Sequence, residues 1–416
     1  MKIAIIGTGI SGLTAAYLLN RKHDITVFEA GDTIGGHTAT VDIQMPDGEK
    51  LAIDTGFIVY NEWTYPNFIK LLTQLGISGQ KTEMSFSVHD DRSGLEYGGN
   101  NLNTLFTQRS NVLKPSFLRM VRDILRFNKA SIADLESGLL SPEMTLDEYL
   151  KINGYSQEFV AHYLVPMGAA IWSASTQMML EFPLLFFVRF LKNHGLLSIS
   201  DRPQWFVIPG GSREYLKPLT QGFADRIRVS TPVTGIRRDG EGVTLTTAQG
   251  IEYFDAVVIA SHSDQALAML QDASKAETDI LSAIPYQAND VVLHTDTRLL
   301  PDHRRAWSSW NYHLTAAEQS HAVLTYDMNI LQGLQSAHTF CVTLNHTAAI
   351  DPTKILRRFS YSHPVFTLAG MQAQQRWHEI NGVNNTWFCG AYWRNGFHED
   401  GVASALRVTE ALGEFL

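Results

Sequence analysis

Lys2-Ile-Ala-Ile-Ile-Gly7-Thr8-Gly9-Ile10-Ser11-Gly12-Leu-Thr-Ala-Ala-Tyr-Leu-Leu19 opens the chain, and Asp24-Ile-Thr-Val-Phe28-Glu29 follows closely. Lys2 to Gly7 reads as a short buried strand and Ser11 to Leu19 as a helix, with a GxGxxG turn between them. Each glycine has a physical role. Gly7 permits the tight turn, Gly9 lets backbone approach a pyrophosphate, and Gly12 lets the helix lie close on the strand. The helix start at Ile10 and Ser11 offers free N–H groups and the positive end of the dipole to phosphates. Glu29 ends the second strand, where the motif needs a carboxylate to accept hydrogen bonds from ribose hydroxyls. The stretch therefore reads as a Rossmann-like dinucleotide site.

The rest of the composition agrees with a folded chain. Its 416 residues are 44% hydrophobic and 18% charged, enough for two or three domain-sized cores and too apolar for disorder. A net charge of −9, from 33 basic and 42 acidic residues, argues against nucleic acid as a partner. The two cysteines, Cys341 and Cys389, make no disulfide framework, and no CxxC or Cys/His cluster points to a metal. Gly7, Gly9 and Gly12 break the first apolar run before a signal-peptide core is complete. The longest apolar stretch, Leu180 to Leu191, is interrupted by Glu181, Pro183 and Arg189 and is too short to span a bilayer. A cytoplasmic protein without a transmembrane segment is expected.

After Glu29 comes a paired glycine in Gly35-Gly36-His37-Thr38. Further along stand Asp54-Thr-Gly56-Phe57-Ile58, Trp205-Phe-Val-Ile-Pro-Gly210-Gly211, Thr231-Pro-Val233, Trp387-Phe-Cys389-Gly390 and Gly401-Val402-Ala403. In this order the set resembles the flavin-containing amine oxidase superfamily, with its phytoene-desaturase-like, protoporphyrinogen-oxidase-like and fatty-acid-isomerase members. The resemblance implies FAD as cofactor. Gly35, Gly36 and Thr38 would flank its phosphates, and Gly56, Phe57 and Ile58 would pass near the isoalloxazine. Val233 would meet the adenine, Gly390 the ribityl and pyrophosphate, and Val402, beside Gly401, the O2 edge of the ring. His37 stands where these chains usually carry Arg. Tyr326-Asp-Met-Asn329, His363-Pro-Val-Phe366, Tyr392-Trp393 and Gly396-Phe-His398-Glu-Asp-Gly401 are similar to a bacterial group of predicted NAD/FAD-binding proteins associated with cyclopropane-fatty-acid synthases. That association points towards lipid.

The spacing of these motifs predicts an α/β (α+β) fold in which a Rossmann-like FAD-binding domain is interleaved with a mixed helical and antiparallel-sheet substrate domain. Segments 1–80, 200–270 and 380–416 would assemble the first, and 81–199 and 271–379 the second. The 81–199 insertion reads as mostly helical, and the second insertion as strand-rich. No second GxGxxG precedes a helix, so reduction of the flavin by the organic substrate is expected.

By motif position, His398 takes the place of an aromatic that flanks the flavin in amine oxidases, as a general acid/base, a polariser or a cavity-lining polar residue. Glu399 and Asp400 read as charges ahead of a helix start. Trp393, taken with His398 as a catalytic candidate, and Tyr392 would wall the substrate site or pack between domains. Trp172, His294, Trp310 and Tyr326 are further cavity candidates, with ordinary core as the alternative. His294 marks the strand expected to carry the lysine of amine oxidases, and no lysine lies there. Met178 to Leu191 reads as a tunnel-lining or membrane-docking helix, or as a buried one. The expected function is FAD-dependent oxidation of an apolar substrate such as an unsaturated fatty-acyl chain or phospholipid, with peripheral membrane contact. Amine oxidation, double-bond isomerisation and a non-catalytic FAD-binding scaffold are the alternatives.

Overall fold

The computed structural model describes residues 1–317 and 321–416. Lys2–Ile6 lies at the centre of a five-stranded parallel sheet, between Asp24–Phe28 and Ala256–Ile259, with Ile227–Arg228 and Thr386–Phe388 at the edges. Its strands are apolar on both faces because both faces are covered. Ile3 and Ile5 pack with Leu13 and Ala16 of the Ile10–Leu19 helix and with Ala405 of the His398–Ala411 helix. Ala4 and Ile6 turn to the opposite face, with Val257, Ile259 and Phe254. Burying each such isoleucine contributes roughly 1.5–3 kcal/mol. The second face is covered by the antiparallel Val233–Arg238, Val243–Thr247 and Gly250–Phe254.

A seven-stranded sheet runs in the order Ile355–Pro364, Tyr286–His294, Cys341–Leu344, Leu324–Asp327, Trp310–Leu314, Phe86–Asp90 and Leu95–Gly98. The mostly helical 81–199 segment also supplies strands to this sheet. Phe86–Asp90 pairs parallel with Trp310–Leu314, so 81–199 donates a hairpin before it becomes helical. The alternation in Phe86-Ser-Val-His-Asp90 and the turn at Gly94, whose φ is +64°, carry that signal. Trp205–Val207 joins Tyr60–Asn61 and Gln80–Thr82 in a separate small sheet.

Beyond the hairpin, Pro115–Glu136 buries Phe117, Met120 and Phe127, and Thr145 caps Leu146–Ile152 reciprocally with Glu148. Most of the Met178 to Leu191 stretch is core, with Phe182, Leu184, Phe187, Val188 and Leu191 buried, while Phe190 lines a cavity. Both cysteines are buried free thiols. Among the described residues, no helix is long and apolar enough to cross a membrane.

Candidate functional site

The parallel sheet changes direction beside Lys2–Ile6, because the chain builds first towards Asp24–Phe28 and later towards Ala256–Ile259. Ligands bind beyond the carboxyl ends of strands at such a point. Gly7, Ala260 and Gly390 follow those strand ends and line a cavity of about 820 Å³. At one end lie Gly9, Ile10, Ser11, Glu29 and Val233; Gly36, His37, Gly56, Phe57, Ile58 and His398 follow. The far end is apolar, with Tyr97, Met167, Trp172, Trp310, Tyr326 and Phe366, and Tyr392 also lines the wall.

The phosphate end is built as a cradle. Gly9 has φ −66° and caps the Ile10–Leu19 helix. A Cβ at Gly9 would meet nothing within 4 Å, so its bare face opens on space. Gly36, at φ +56°, has only Gly9 beside it. The first N–H groups of the helix have no intrahelical partner and face this gap. Glu29 is held in place: Thr8 donates its N–H (3.0 Å) and its hydroxyl to Oε2, and the Gly31 N–H donates to Oε1 at 2.8 Å. Asp54 anchors the Gly56–Ile58 loop by accepting from Thr40 Oγ1 (2.6 Å) and from the Ser212 N–H and hydroxyl (both 2.9 Å). Burial raises its pKa to about 6.

Several expected residues sit behind the wall. A Cβ at Gly12 would overlap the Gly7 carbonyl, so Gly12 serves helix–strand packing. Gly35, at φ +116°, donates its N–H to the Thr8 carbonyl at 3.1 Å and orients Gly36. Thr38 bonds the Tyr215 hydroxyl and His398 Nε2, the latter at 3.1 Å.

Gly401 and Val402 require correction. The helix starts at His398, three residues earlier than expected, so its free N–H groups belong to its first turn. A Cβ at Gly401 would stand 2.7 Å from Ile10 Cγ2 and 2.9 Å from Ser11 Oγ, and Val402 is fully buried in core. Glu399 and Asp400 therefore lie within the helix. Glu399 accepts the N–H groups of Asn67 (3.2 Å) and Phe68 (2.9 Å), capping Pro66–Gln74. Asp400 accepts from Asn395 and Phe397, and burial raises it to about 6.

Trp393 and His294 also differ from expectation. Tyr392 and Trp393 share a single 3-10 turn, which splays neighbouring side chains, and Trp393 packs into the core with Phe388 and Ile380. His294 ends the nine-residue Tyr286–His294 strand, roughly 27 Å from the end that reaches the cavity. Both its ring nitrogens are engaged, Nε2 with Thr343 Oγ1 at 2.7 Å and Nδ1 accepting the Asp296 N–H at 3.0 Å.

His398 lies flat on Phe57, with ring centroids 3.6 Å apart, and its Nε2 is 3.3 Å from the Tyr215 hydroxyl. Burial first, then the nearby His37 ring, holds its pKa well below the usual value. His37 centres a further group, with its ring 6.4 Å from that of His262, 5.5 Å from His363 and 5.2 Å from Tyr361. Burial lowers His37 to about 3 and His363 to about 4. His262 stacks on Tyr286 at 4.0 Å. Neither His262 nor His363 was singled out as a site residue. His262 follows the Ala256–Ile259 strand end, so the switch-point rule marks it. His363 was visible only as part of a motif.

A sequence model of the family described as flavin containing amine oxidoreductase matches residues 10–328. The chain belongs to that family. A Mycobacterium tuberculosis protein named as a flavin-containing monoamine oxidase is 24% identical over 274 residues; the match covers 62% of this chain and 56%, little more than half, of that relative. Cyclohexylamine oxidase from Brevibacterium oxydans superposes with a TM-score of 0.68 at 19% identity, over 99% of both chains. The fatty acid isomerase from P. acnes that produces CLA gives 0.68 at 16% identity, over 98% of both. Likeness at these identities concerns the fold.

The flavin of the family fits what is present. The glycine cradle is open, and the buried Nε2 of His37 and Nε1 atoms of Trp172 and Trp310 have no protein partner in a cavity wall. Gly9, Ile10, Ser11, Gly36, Glu29 and Val233 would hold the dinucleotide, and Gly56–Ile58, Gly390 and His398 would flank the ring end.

Proposed function

We propose that this chain is an FAD-dependent oxidoreductase that removes hydride from carbon in an apolar, uncharged or anionic substrate, of which an unsaturated fatty-acyl chain is the best fit. The observation carrying this reading is the charge of the cavity wall. Among the described lining residues, the only charged side chains are Glu29, at the dinucleotide end, and Arg202. Lowered pKa values keep His37, His194, His262, His363 and His398 neutral near pH 7. A substrate ammonium would find no carboxylate partner at the apolar end, and an unpaired buried cation is costly.

When bound, FAD supplies a two-electron acceptor. The apolar wall of Met167, Trp172, Trp310 and Phe366 excludes water; Thr38 and Tyr215 orient the His398 ring flat on Phe57, and burial keeps that ring neutral. His398 thus serves as a hydrogen-bonding polariser rather than a proton store. Loss of the hydride would leave a carbon that forms a new double bond by releasing a proton from its neighbour to solvent, and the electrons would pass on to dioxygen, a quinone or another acceptor. Amine oxidation is the second reading, supported by the family and by the names of the relatives.

The test is anaerobic visible absorbance of the purified flavoprotein, with unsaturated fatty acids, phospholipids and amines added in turn. Bleaching by lipid and not by amines is the expected result. Bleaching by amines alone would overturn the apolar-substrate reading. A lipid product with a moved double bond and no bleaching would replace oxidation by isomerisation.

A further inference from the structure

The chain is acidic, with 42 acidic against 33 basic residues, but one surface reverses that balance. Between Gly99 and Ala130 the basic residues are Arg109, Lys114, Arg119, Arg122, Arg126 and Lys129, and the only acid is Asp123. Asp123 is fully buried beneath the Pro115–Glu136 helix, where it accepts the Ser156 N–H at 2.9 Å. Arg122 and Arg126 each reach it only at 3.4 Å. Arg119 pairs with Glu158 at 2.6 Å. Arg109, Lys114 and Lys129 pair with no carboxylate among the described residues.

Large apolar side chains stand among these cations. Leu113 is 84% exposed and Leu102 74%, and Val112, Leu118 and Leu125 are also exposed. On the helix, Leu118, Arg122, Leu125 and Lys129 follow one another at three- and four-residue spacing, which puts them on a single outward stripe. The opposite side, through Phe117, Met120 and Phe127, is the one that enters the core.

Leucines interleaved with arginine and lysine, of which Arg109, Lys114 and Lys129 pair with no carboxylate among the described residues, form the pattern of a helical face lying in a membrane interface, its cations at lipid phosphates and its apolar side chains at the acyl boundary. Duplex nucleic acid would use the cations and leave the leucines in water. We propose that this face docks the protein on a bilayer surface containing anionic phospholipid. Tyr97 and Gly99, just ahead of Leu102, line the cavity, so the docking face adjoins the cavity wall. The docking itself does not depend on which substrate is oxidised.

The test is co-sedimentation of the full chain with vesicles of phosphatidylcholine alone or mixed with phosphatidylglycerol, at low and high salt. Binding to the anionic vesicles at least ~10-fold above the neutral ones, released by high salt, is expected. The Arg122→Glu/Lys129→Glu double variant and, separately, Leu113→Asp should each lower that binding at least ~10-fold while thermal midpoint and flavin content are unchanged. No binding to anionic vesicles overturns the proposal, as does binding that both variants leave unaltered. Retention on duplex RNA without vesicle binding would overturn it in favour of a nucleic-acid surface.

Discussion

Gly9 and Gly12 lie on the same turn, and the absence of a side chain does opposite work at each. At Gly9 the backbone is in a region open to alanine, and the added methyl would point into empty cavity. Gly9→Ala should therefore fold with unchanged stability and bind flavin at least ~10-fold more weakly, about 1.4 kcal/mol, because the methyl stands where a pyrophosphate would lie. At Gly12 the methyl would meet the Gly7 carbonyl, a backbone atom that cannot swing away. Gly12→Ala should cost about 1–3 kcal/mol of stability before any effect on cofactor. Denaturant unfolding of the apoprotein alongside flavin titration separates the two. Equal losses of stability would show that Gly9 is also a packing position.

At the scale of elements, the start of the C-terminal helix decides most. Reading it from Gly401 places Val402 at the flavin; starting it at His398 places Glu399 and Asp400 in the first turn. Glu399 then serves another helix, since its carboxylate closes the N-terminus of Pro66–Gln74. Glu399→Ala would leave the Asn67 and Phe68 N–H groups unpaired and should cost about 1–3 kcal/mol, with Glu399→Gln recovering most of it. Denaturant melts of the two variants check this, and substrate bleaching of the flavin should survive in both. Loss of bleaching in a stably folded Glu399→Gln would instead give the carboxylate a chemical role. The helix boundary was hard to read because no Ser, Thr, Asp or Asn stands at its N-cap; Phe397 does, and Asp400 supplies the acceptor from within.

Across the whole molecule, buried titratable groups set a pH dependence. His37 is lowered to about 3, and His194, His294 and His363 to about 4, in each case chiefly by burial. A depressed histidine contributes stability that is present above its unfolded value of 6.5 and is lost as pH falls through the folded value. One held near 4 forfeits roughly 3 kcal/mol once pH is below both. Asp54, Asp327 and Asp400, each raised to about 6 by burial, act in the opposite sense and lose stability as pH rises from 4 to 6. The histidines outnumber them and are shifted further, so thermal stability should fall as pH drops from 6.5 towards 4. Scanning calorimetry across that range checks it; a midpoint that rises on acidification would mean that the aspartates dominate.

What the sequence determined by itself is the dinucleotide turn and the framework around it. Gly7, Gly9 and Gly12 between an apolar strand and helix, with Glu29 at the next strand end, obey short-range steric rules that leave little alternative. The cofactor-side residues Gly36, Gly56, Phe57, Ile58, Val233 and Gly390 were legible as ordered motifs, and each lines the cavity. Of the wall opposite them, Trp172, Trp310, Tyr326 and Tyr392 stood among the cavity candidates of the sequence, and the other positions were decided only in three dimensions. His363, Tyr286 and Arg202 come from an edge strand, the near end of a second strand and a loop. No local spacing distinguishes such positions from the far end of the same strand, where His294 lies, or from the next residue of a tight turn, where Trp393 lies. Periodicity reports which face of an element is buried. Whether that face meets core or cavity depends on what packs against it, and that is set by chain segments hundreds of residues away.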